Sequence, residues 1–143
     1  MKILIINGPN LNLLGRRDAS HYGELNLNSL ENILKEEFPD DSLSFFQSNH
    51  EGEIIDKIQS SEKEFGGIII NPGGYAHTSV AIRDALAECK LPKIEVHLSH
   101  LAKREEFRQT LITAAACSGY ISGFKENSYK AGIFLLKKIV NNN

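Results

Sequence analysis

The chain has 143 residues, is 41% hydrophobic and 24% charged, and sets 16 Lys and Arg against 18 Asp and Glu for a formal net charge of −2. At roughly 150 residues per domain this predicts one domain over 1–143, large enough to bury roughly two thirds of its unfolded surface. The balance of charge excludes the basic excess that nucleic-acid and membrane-surface partners need, and apolar runs no longer than those at 3–6 and 68–70 exclude a transmembrane helix.

The first predicted element is a strand over 2–7, whose run Ile3-Leu4-Ile5-Ile6 is continuously apolar, as for a strand covered on both faces. Asn7, Gly8 and Pro9 end this run too early for a signal peptide, which leaves a cytoplasmic chain as the expectation. A connection of about twenty residues follows, where loops of this class normally take 2–6. Leu30, Ile33, Leu34 and Phe38 then recur at helical spacing, with Asn28 or Ser29 placed to cap. A strand over 42–48 precedes a second apolar stripe of Ile54, Ile55 and Ile58, which Gly66 and Gly67 end. A strand over 67–71 leads to a helix carrying Val80, Ala81, Ala85 and Leu86, with Thr78 or Ser79 as cap and Pro92 beyond its end. A strand over 93–99 and a weaker one over 119–124 complete the set. A last helix over 128–140 carries Ile133, Leu135, Leu136 and Ile139, and the terminal Asn141-Asn142-Asn143 is expected to fray. Strands alternating with helices mean a parallel sheet with right-handed crossovers. The expected fold is α/β, a flavodoxin-like three-layer sandwich whose five-stranded parallel sheet has the order 2-1-3-4-5.

Open α/β sheets bind ligands beyond the carboxyl ends of their strands, near the point where the strand order reverses. In the expected order the loops after strands 1, 3 and 4 converge there, and they hold the least ordinary residues of the chain. The first loop carries Asn10, Arg16, Arg17 and Tyr22. The second, Asn71-Pro72-Gly73-Gly74-Tyr75-Ala76-His77-Thr78-Ser79, combines glycines that permit close approach of a ligand with a helix N-terminus that favours an anion. The third carries His97-Leu98-Ser99-His100, followed by Arg104 and Arg108, four apart and so expected to share a helical face. Taken singly, the glycine turn reads as an ordinary cap and the Arg/Glu segment as a solvated helix. Glu95, His97 and Ser99, however, alternate with Ile94, Val96 and Leu98, placing a polar row on one face of a covered strand. A carboxylate beside an imidazole fixes its orientation and favours its charged form, which suits a general acid.

Other chemistries lack their motifs. No G-x-G-x-x-G follows strand 1 and no phosphate loop of the G-x-x-x-x-G-K-[ST] type occurs, so nucleotide binding is not expected. A G-x-S-x-G serine elbow is missing, and His97 with His100 does not make a zinc pattern. Cys89 and Cys117 are too few for a disulfide framework or a four-cysteine zinc site and read as reduced, buried thiols. What remains is a phenol, imidazoles, amides and arginines, a set suited to proton abstraction beside a carbonyl, with a substrate carboxylate held by backbone N–H groups and hydroxyls.

The chain resembles the type II 3-dehydroquinate dehydratases. The matching blocks are Asn7-Gly8-Pro9-Asn10-Leu11-Asn12-Leu13-Leu14-Gly15, Arg17 with Tyr22-Gly23, the run 47–53, the run 71–85, Glu95-Val96-His97-Leu98-Ser99 and Arg104-Glu105-Glu106-Phe107-Arg108, in family order and across nearly the whole chain. The resemblance implies conversion of 3-dehydroquinate to 3-dehydroshikimate by anti elimination of water through an enolate, with no metal and no cofactor. It implies that Tyr22 is the base taking the C2 proton, that Arg17 stabilises the tyrosinate, and that Asn10 holds a water against the enolate. His97 is then the acid on the departing C1 hydroxyl and Glu95 its orienting partner. Asn71, His77 and Arg108 would hold the ring hydroxyls, Leu98 (through its N–H) and Ser99 the carboxylate, and Asp84 would reach the site across a subunit contact. The implied assembly is a homo-oligomer, a dodecamer built from trimers. The chain departs from the usual pattern at Asp18-Ala19, where the lid commonly has Glu-Pro, at His100 for Asn, and at Thr113-Ala114 for Ser-Pro. A non-catalytic module of the same fold that binds a small hydroxy-acid or anion is the alternative, and it has no need of Tyr22 beside Arg17.

Overall fold

The computed structural model describes residues 1–16, 18, 20 and 25–142. Strands β1 (Lys2–Asn7), β2 (Ser42–Gln47), β3 (Gly67–Asn71), β4 (Lys93–His97) and β5 (Gly119–Ser122) form one sheet of order β2-β1-β3-β4-β5, with every neighbouring pair parallel. Helices α1 (Leu27–Glu37), α2 (Glu51–Ser60), α3 (Val80–Glu88) and α4 (Glu126–Asn141) cover it. The fold is the expected flavodoxin-like α/β sandwich.

Period-two alternation divides the core into two layers. Ile3, Ile5, Ile69, Ile94, Val96 and Leu98 face Leu30 and Leu34 of α1 and Tyr129, Ile133 and Leu136 of α4. Leu4, Ile6, Ile68 and Ile70 face Ile54 and Ile58 of α2 and Ile82, Ala85 and Leu86 of α3. Each of the isoleucines and leucines here that is fully withdrawn from water contributes about 1.5–3 kcal/mol of transfer free energy. No helix among the described residues is long and apolar enough to cross a membrane.

Several local expectations are corrected. The cap of α1 is Asn26, not Asn28 or Ser29: Asn26 Oδ1 accepts from the Ser29 N–H at 2.9 Å, and the Ser29 hydroxyl accepts from the Asn26 N–H at 3.0 Å, a reciprocal pair that starts the helix two residues earlier. The α2 stripe ends at Ser60, followed by a 3-10 turn over Ser61–Lys63, well before Gly66. Of the two expected caps, Ser79 is the one that caps α3, and the buried stripe of that helix is Ile82, Ala85 and Leu86, while Val80 is 56% exposed on the opposite side. On α4 Leu135 is exposed, off the i, i+4, i+7 stripe of Tyr129, Ile133 and Leu136 that faces the sheet. Strands β2, β4 and β5 stop one to two residues earlier than predicted, and Asn141 is the last residue of α4.

Arg104 and Arg108 do not lie on an α-helix. The segment is two 3-10 turns, Leu101–Lys103 and Glu106–Gln109, with Arg104 in extended backbone between them. Of the cysteines, Cys89 is buried and Cys117 half-buried, and both are free thiols; burial, reinforced by the Glu95 charge, pushes the Cys117 thiol up to about 12.

Candidate active site

Parallel pairing sets Asn7 directly beside Asn71 at the carboxyl ends of β1 and β3. The loops that follow touch closely: the Gly8 N–H donates to the Asn71 carbonyl at 2.8 Å, and a side chain at Gly8 would meet the Pro72 carbonyl at 2.4 Å. Gly73, at φ 60°, likewise lies against the Pro9 carbonyl, so neither turn tolerates a Cβ. Tyr129 rises from α4 beneath both asparagines. Its hydroxyl donates to Asn7 Oδ1 at 2.6 Å and accepts from Asn71 Nδ2 at 2.9 Å, while Asn71 Oδ1 accepts from the Gly73 N–H at 3.1 Å. Burial, which outweighs the Asn71 hydrogen bond, pushes the Tyr129 phenol well above its ordinary pKa and keeps it neutral.

The polar row of β4 points to the opposite face of the sheet from Val96 and Leu98. Glu95 is fully buried and spans two partners: Oε1 meets His97 Nε2 at 2.7 Å, and Oε2 accepts from the Thr113 hydroxyl at 2.6 Å. A carboxylate only accepts, so Nε2 carries the shared hydrogen and Nδ1 is the nitrogen left for a ligand. The same reasoning assigns His77. Its Nδ1 lies 2.8 Å from the Thr110 carbonyl and therefore donates, leaving Nε2 as an acceptor. Burial, aided by the positive groups His97 and Arg108, holds the His77 imidazole below its ordinary pKa against the Thr110 carbonyl and Glu95, which act in the other direction. The two imidazole rings lie nearly parallel, 23° apart, with centroids separated by 6.4 Å.

Asn71, His77 and His97 line a cleft together with Leu11, Gly73, Gly74, Leu98, Ser99, Leu101, Arg104 and Arg108. It sits at the carboxyl edge between β1, β3 and β4, where the strand order reverses. Arg108 is held by Glu105 at 2.7 Å, and the Arg104 guanidinium approaches the Ser99 hydroxyl at 3.5 Å. Glu105, although exposed, is kept below the usual carboxylate range by its own backbone N–H and by Arg108.

The structure thus brings together Asn71, His77, His97, Leu98, Ser99 and Arg108 around one cleft, with Glu95 directly behind His97. Asn10 does not line it. It takes a left-handed φ of 67°, and its N–H donates to Asn49 Oδ1 at 3.0 Å. Asp84 lies on the exposed side of α3 beside Arg83, at 3.4 Å, outside this chain's cleft. Arg17 and Tyr22 lie outside the described residues. Sequence reading passed over Tyr129 and Thr110 and met Thr113 only as a departure from the family pattern, yet these three hold Asn71, His77 and Glu95. The available signal was weak: a hydroxyl following a polar strand row, and one tyrosine on a helix of otherwise aliphatic core residues.

A flavodoxin-like sheet with a polar, imidazole-bearing cleft at its switch point defines a small-molecule enzyme scaffold. The family model for dehydroquinase class II matches residues 1–137, and the chain belongs to that family. It is 51% identical over 138 residues to the 3-dehydroquinate dehydratase of Carboxydothermus hydrogenoformans, covering 95% of this chain and 90% of that one. A second relative of that name, from Caldicellulosiruptor saccharolyticus, is 51% identical over 142 residues, covering 97% of this chain and 98% of the relative. Among solved structures, the type II dehydroquinase from Butyrivibrio crossotus superposes with a TM-score of 0.93 at 48% identity, over 96% of this chain and 97% of that one.

Proposed function

We propose that this chain is a type II 3-dehydroquinate dehydratase, a hydro-lyase that converts 3-dehydroquinate to 3-dehydroshikimate in aromatic amino-acid biosynthesis. The observation that carries the reading is the buried Glu95–His97 pair opening onto a cleft shared with Asn71, His77, Ser99 and Arg108, in a chain of this family. In the reaction, a base removes the C2 proton and its electron pair moves onto the C3 carbonyl oxygen, giving an enolate. The enolate then collapses, forming the C1–C2 double bond and expelling the C1 hydroxyl, which leaves as water when an acid protonates it.

Tyr22 is the base in this scheme, and Arg17 lowers the cost of ionising a phenol whose free pKa is near 10. The described tyrosines do not compete for the role. Tyr129 is a buried neutral donor, Tyr75 donates to the Asn49 carbonyl at 3.2 Å, and Tyr120 lies on edge strand β5. Asn10, off the described lining of the cleft, is assigned the water on the enolate oxygen by its position in the family pattern alone. His97 delivers its Nδ1 proton to the leaving hydroxyl while Glu95 stabilises the imidazolium. His77, neutral with Nε2 as acceptor, suits a ring hydroxyl that donates, and Asn71 and Arg108 complete that side. The Leu98 N–H and Ser99 receive the carboxylate, with Arg104 3.5 Å from the Ser99 hydroxyl.

The proposed enzyme is a cytoplasmic homo-oligomer, a dodecamer built as a tetramer of trimers, in which Asp84 completes a neighbour's site. A groove beside β5 supports this: Tyr120 and Phe124, 57% and 65% exposed, line it with Leu111 and with Arg108, which also borders the cleft. The decisive experiment is a direct absorbance assay for the conjugated enone product with purified protein and a chelator present. Steady product formation is expected, and no signal would overturn the assignment. Light scattering tests the assembly, and a fully active monomer would remove the role of Asp84.

A further inference from the structure

The stretch that joins the Arg108 turn to β5 grips the cleft wall at three successive points. The Thr110 carbonyl accepts from His77 Nδ1 at 2.8 Å, the Ile112 N–H donates to the Ala76 carbonyl at 2.7 Å, and the Thr113 hydroxyl donates to Glu95 Oε2 at 2.6 Å. One short segment therefore anchors both imidazoles of the site, one through a backbone carbonyl and the other through a carboxylate. Thr113 and Glu95 have no solvent exposure and His97 has 4%. A carboxylate so placed needs a donor on each oxygen, because water cannot supply one. Thr113 provides the donor that His97 does not, from the first residue of the 3-10 turn Thr113–Ala116.

We propose that Thr113 is a positioning residue for the general acid. Its hydroxyl fixes the plane of the Glu95 carboxylate, so that Oε1 is presented to His97 Nε2 and the ring is held with Nδ1 toward the substrate. The inference rests on the dehydratase reading, in which His97 acts after the C2 proton has left. A threonine that merely filled the core would serve by its volume and methyl group, which valine reproduces. A positioning threonine serves by its hydroxyl, which serine reproduces.

Three measurements on Thr113→Val and Thr113→Ser separate these roles: kcat and KM, exchange of the C2 hydrogen with solvent deuterium, and the ring-nitrogen NMR signals of His97. In T113V, kcat is expected to fall about ten- to a hundredfold, the scale of a misplaced catalytic group. KM and C2 exchange should hold, so exchange rises relative to turnover. The His97 signals should shift in T113V and return in T113S, which should also recover most of kcat. Thr113→Ala, which removes the hydroxyl without adding bulk, replaces T113V if that variant does not fold, with the same expectations. Wild-type turnover in a folded variant lacking the hydroxyl, exchange and turnover falling in parallel, or unmoved His97 signals would each overturn the proposal. Absence of turnover in the unmodified protein would instead overturn the dehydratase reading, while the His97 signals still report the link to Thr113.

Discussion

The two ends of the sheet bury polar groups in opposite ways. At the amino end, the Met1 ammonium and the Lys137 ammonium both bind the buried Asp41 carboxylate, the former at 2.9 Å. Charge meets opposite charge there, and the last helix is tied to the first strand. At the carboxyl end Asn7, Asn71, Glu95, His97 and Ser99 are buried; Glu95 has a donor on each oxygen, while among the described residues the asparagine and imidazole groups in front of it use only part of their hydrogen-bonding capacity. Among the described residues His77 is held by one nitrogen and His97 by one, and Asn71 Nδ2 spends one hydrogen on Tyr129. A region whose polar groups are mutually satisfied stabilises the fold. A region whose groups are oriented from behind and left partly open in front is organised for a ligand.

Substitutions at the two ends should therefore separate activity from stability. The largest effect is expected at Tyr22→Phe, with kcat reduced about a thousandfold or more, within the range of proton-transfer catalysis, while substrate still binds. Near-normal turnover would remove Tyr22 as the base. Next, His97→Ala should lose turnover by about two to three orders of magnitude yet retain C2 hydrogen exchange, because the enolate forms but returns to substrate. Loss of exchange together with turnover would count against a role confined to the acid step.

Tyr129→Phe lies between the two behaviours. It strips Asn7 Oδ1 of its donor and Asn71 Nδ2 of its acceptor, and each orphaned buried group costs about 1–3 kcal/mol. Thermal unfolding should show that loss, and KM should rise as Asn71 loosens. A variant with unchanged stability and KM would mean that the asparagines are held by other contacts.

The smallest effect on catalysis is expected at Asp41→Asn, which should cost about 2 kcal/mol of stability, the scale of hydrogen bonds to a charged group, and leave kcat unchanged. Although desolvation pushes the other way, hydrogen bonds from Lys137 and the Met1 amino group hold the Asp41 carboxyl below its ordinary pKa. A depressed folded-state pKa means stability that is full above the ordinary carboxylate value and is lost as pH falls toward the depressed one. Denaturant midpoints followed into acid should decline less steeply in the variant than in the unmodified protein. Identical acid profiles would show that this clip carries none of the pH dependence.

Much of the architecture was legible because its signals are local. The apolar runs at 3–6 and 68–70 dictated strands covered on both faces, and alternation along β4 separated Val96 and Leu98 from Glu95 and His97 before any neighbour was known. With parallel order and a switch point, those patterns located the cleft and most of its lining. Local signals were weakest at boundaries. Asn26 competes with Asn28 and Ser29 as a cap on composition alone, and Arg104 and Arg108 have helical spacing without helical backbone, because a side chain folds the segment back on itself, Gln109 Nε2 donating to the Leu101 carbonyl at 2.7 Å.

What the sequence alone determined was the order of layers and the identity of the groups facing the cleft, since burial period and strand alternation are properties of consecutive residues. What only the tertiary structure decided was how those groups are held. Tyr129 reaches Asn7 across 122 positions of chain, Asn71 across 58, and Thr113 reaches Glu95 across 18. Such pairings depend on strand register, on the seating of α4 against the sheet and on the path of one irregular segment. No periodicity encodes them, because the atoms that meet are set by packing and not by spacing.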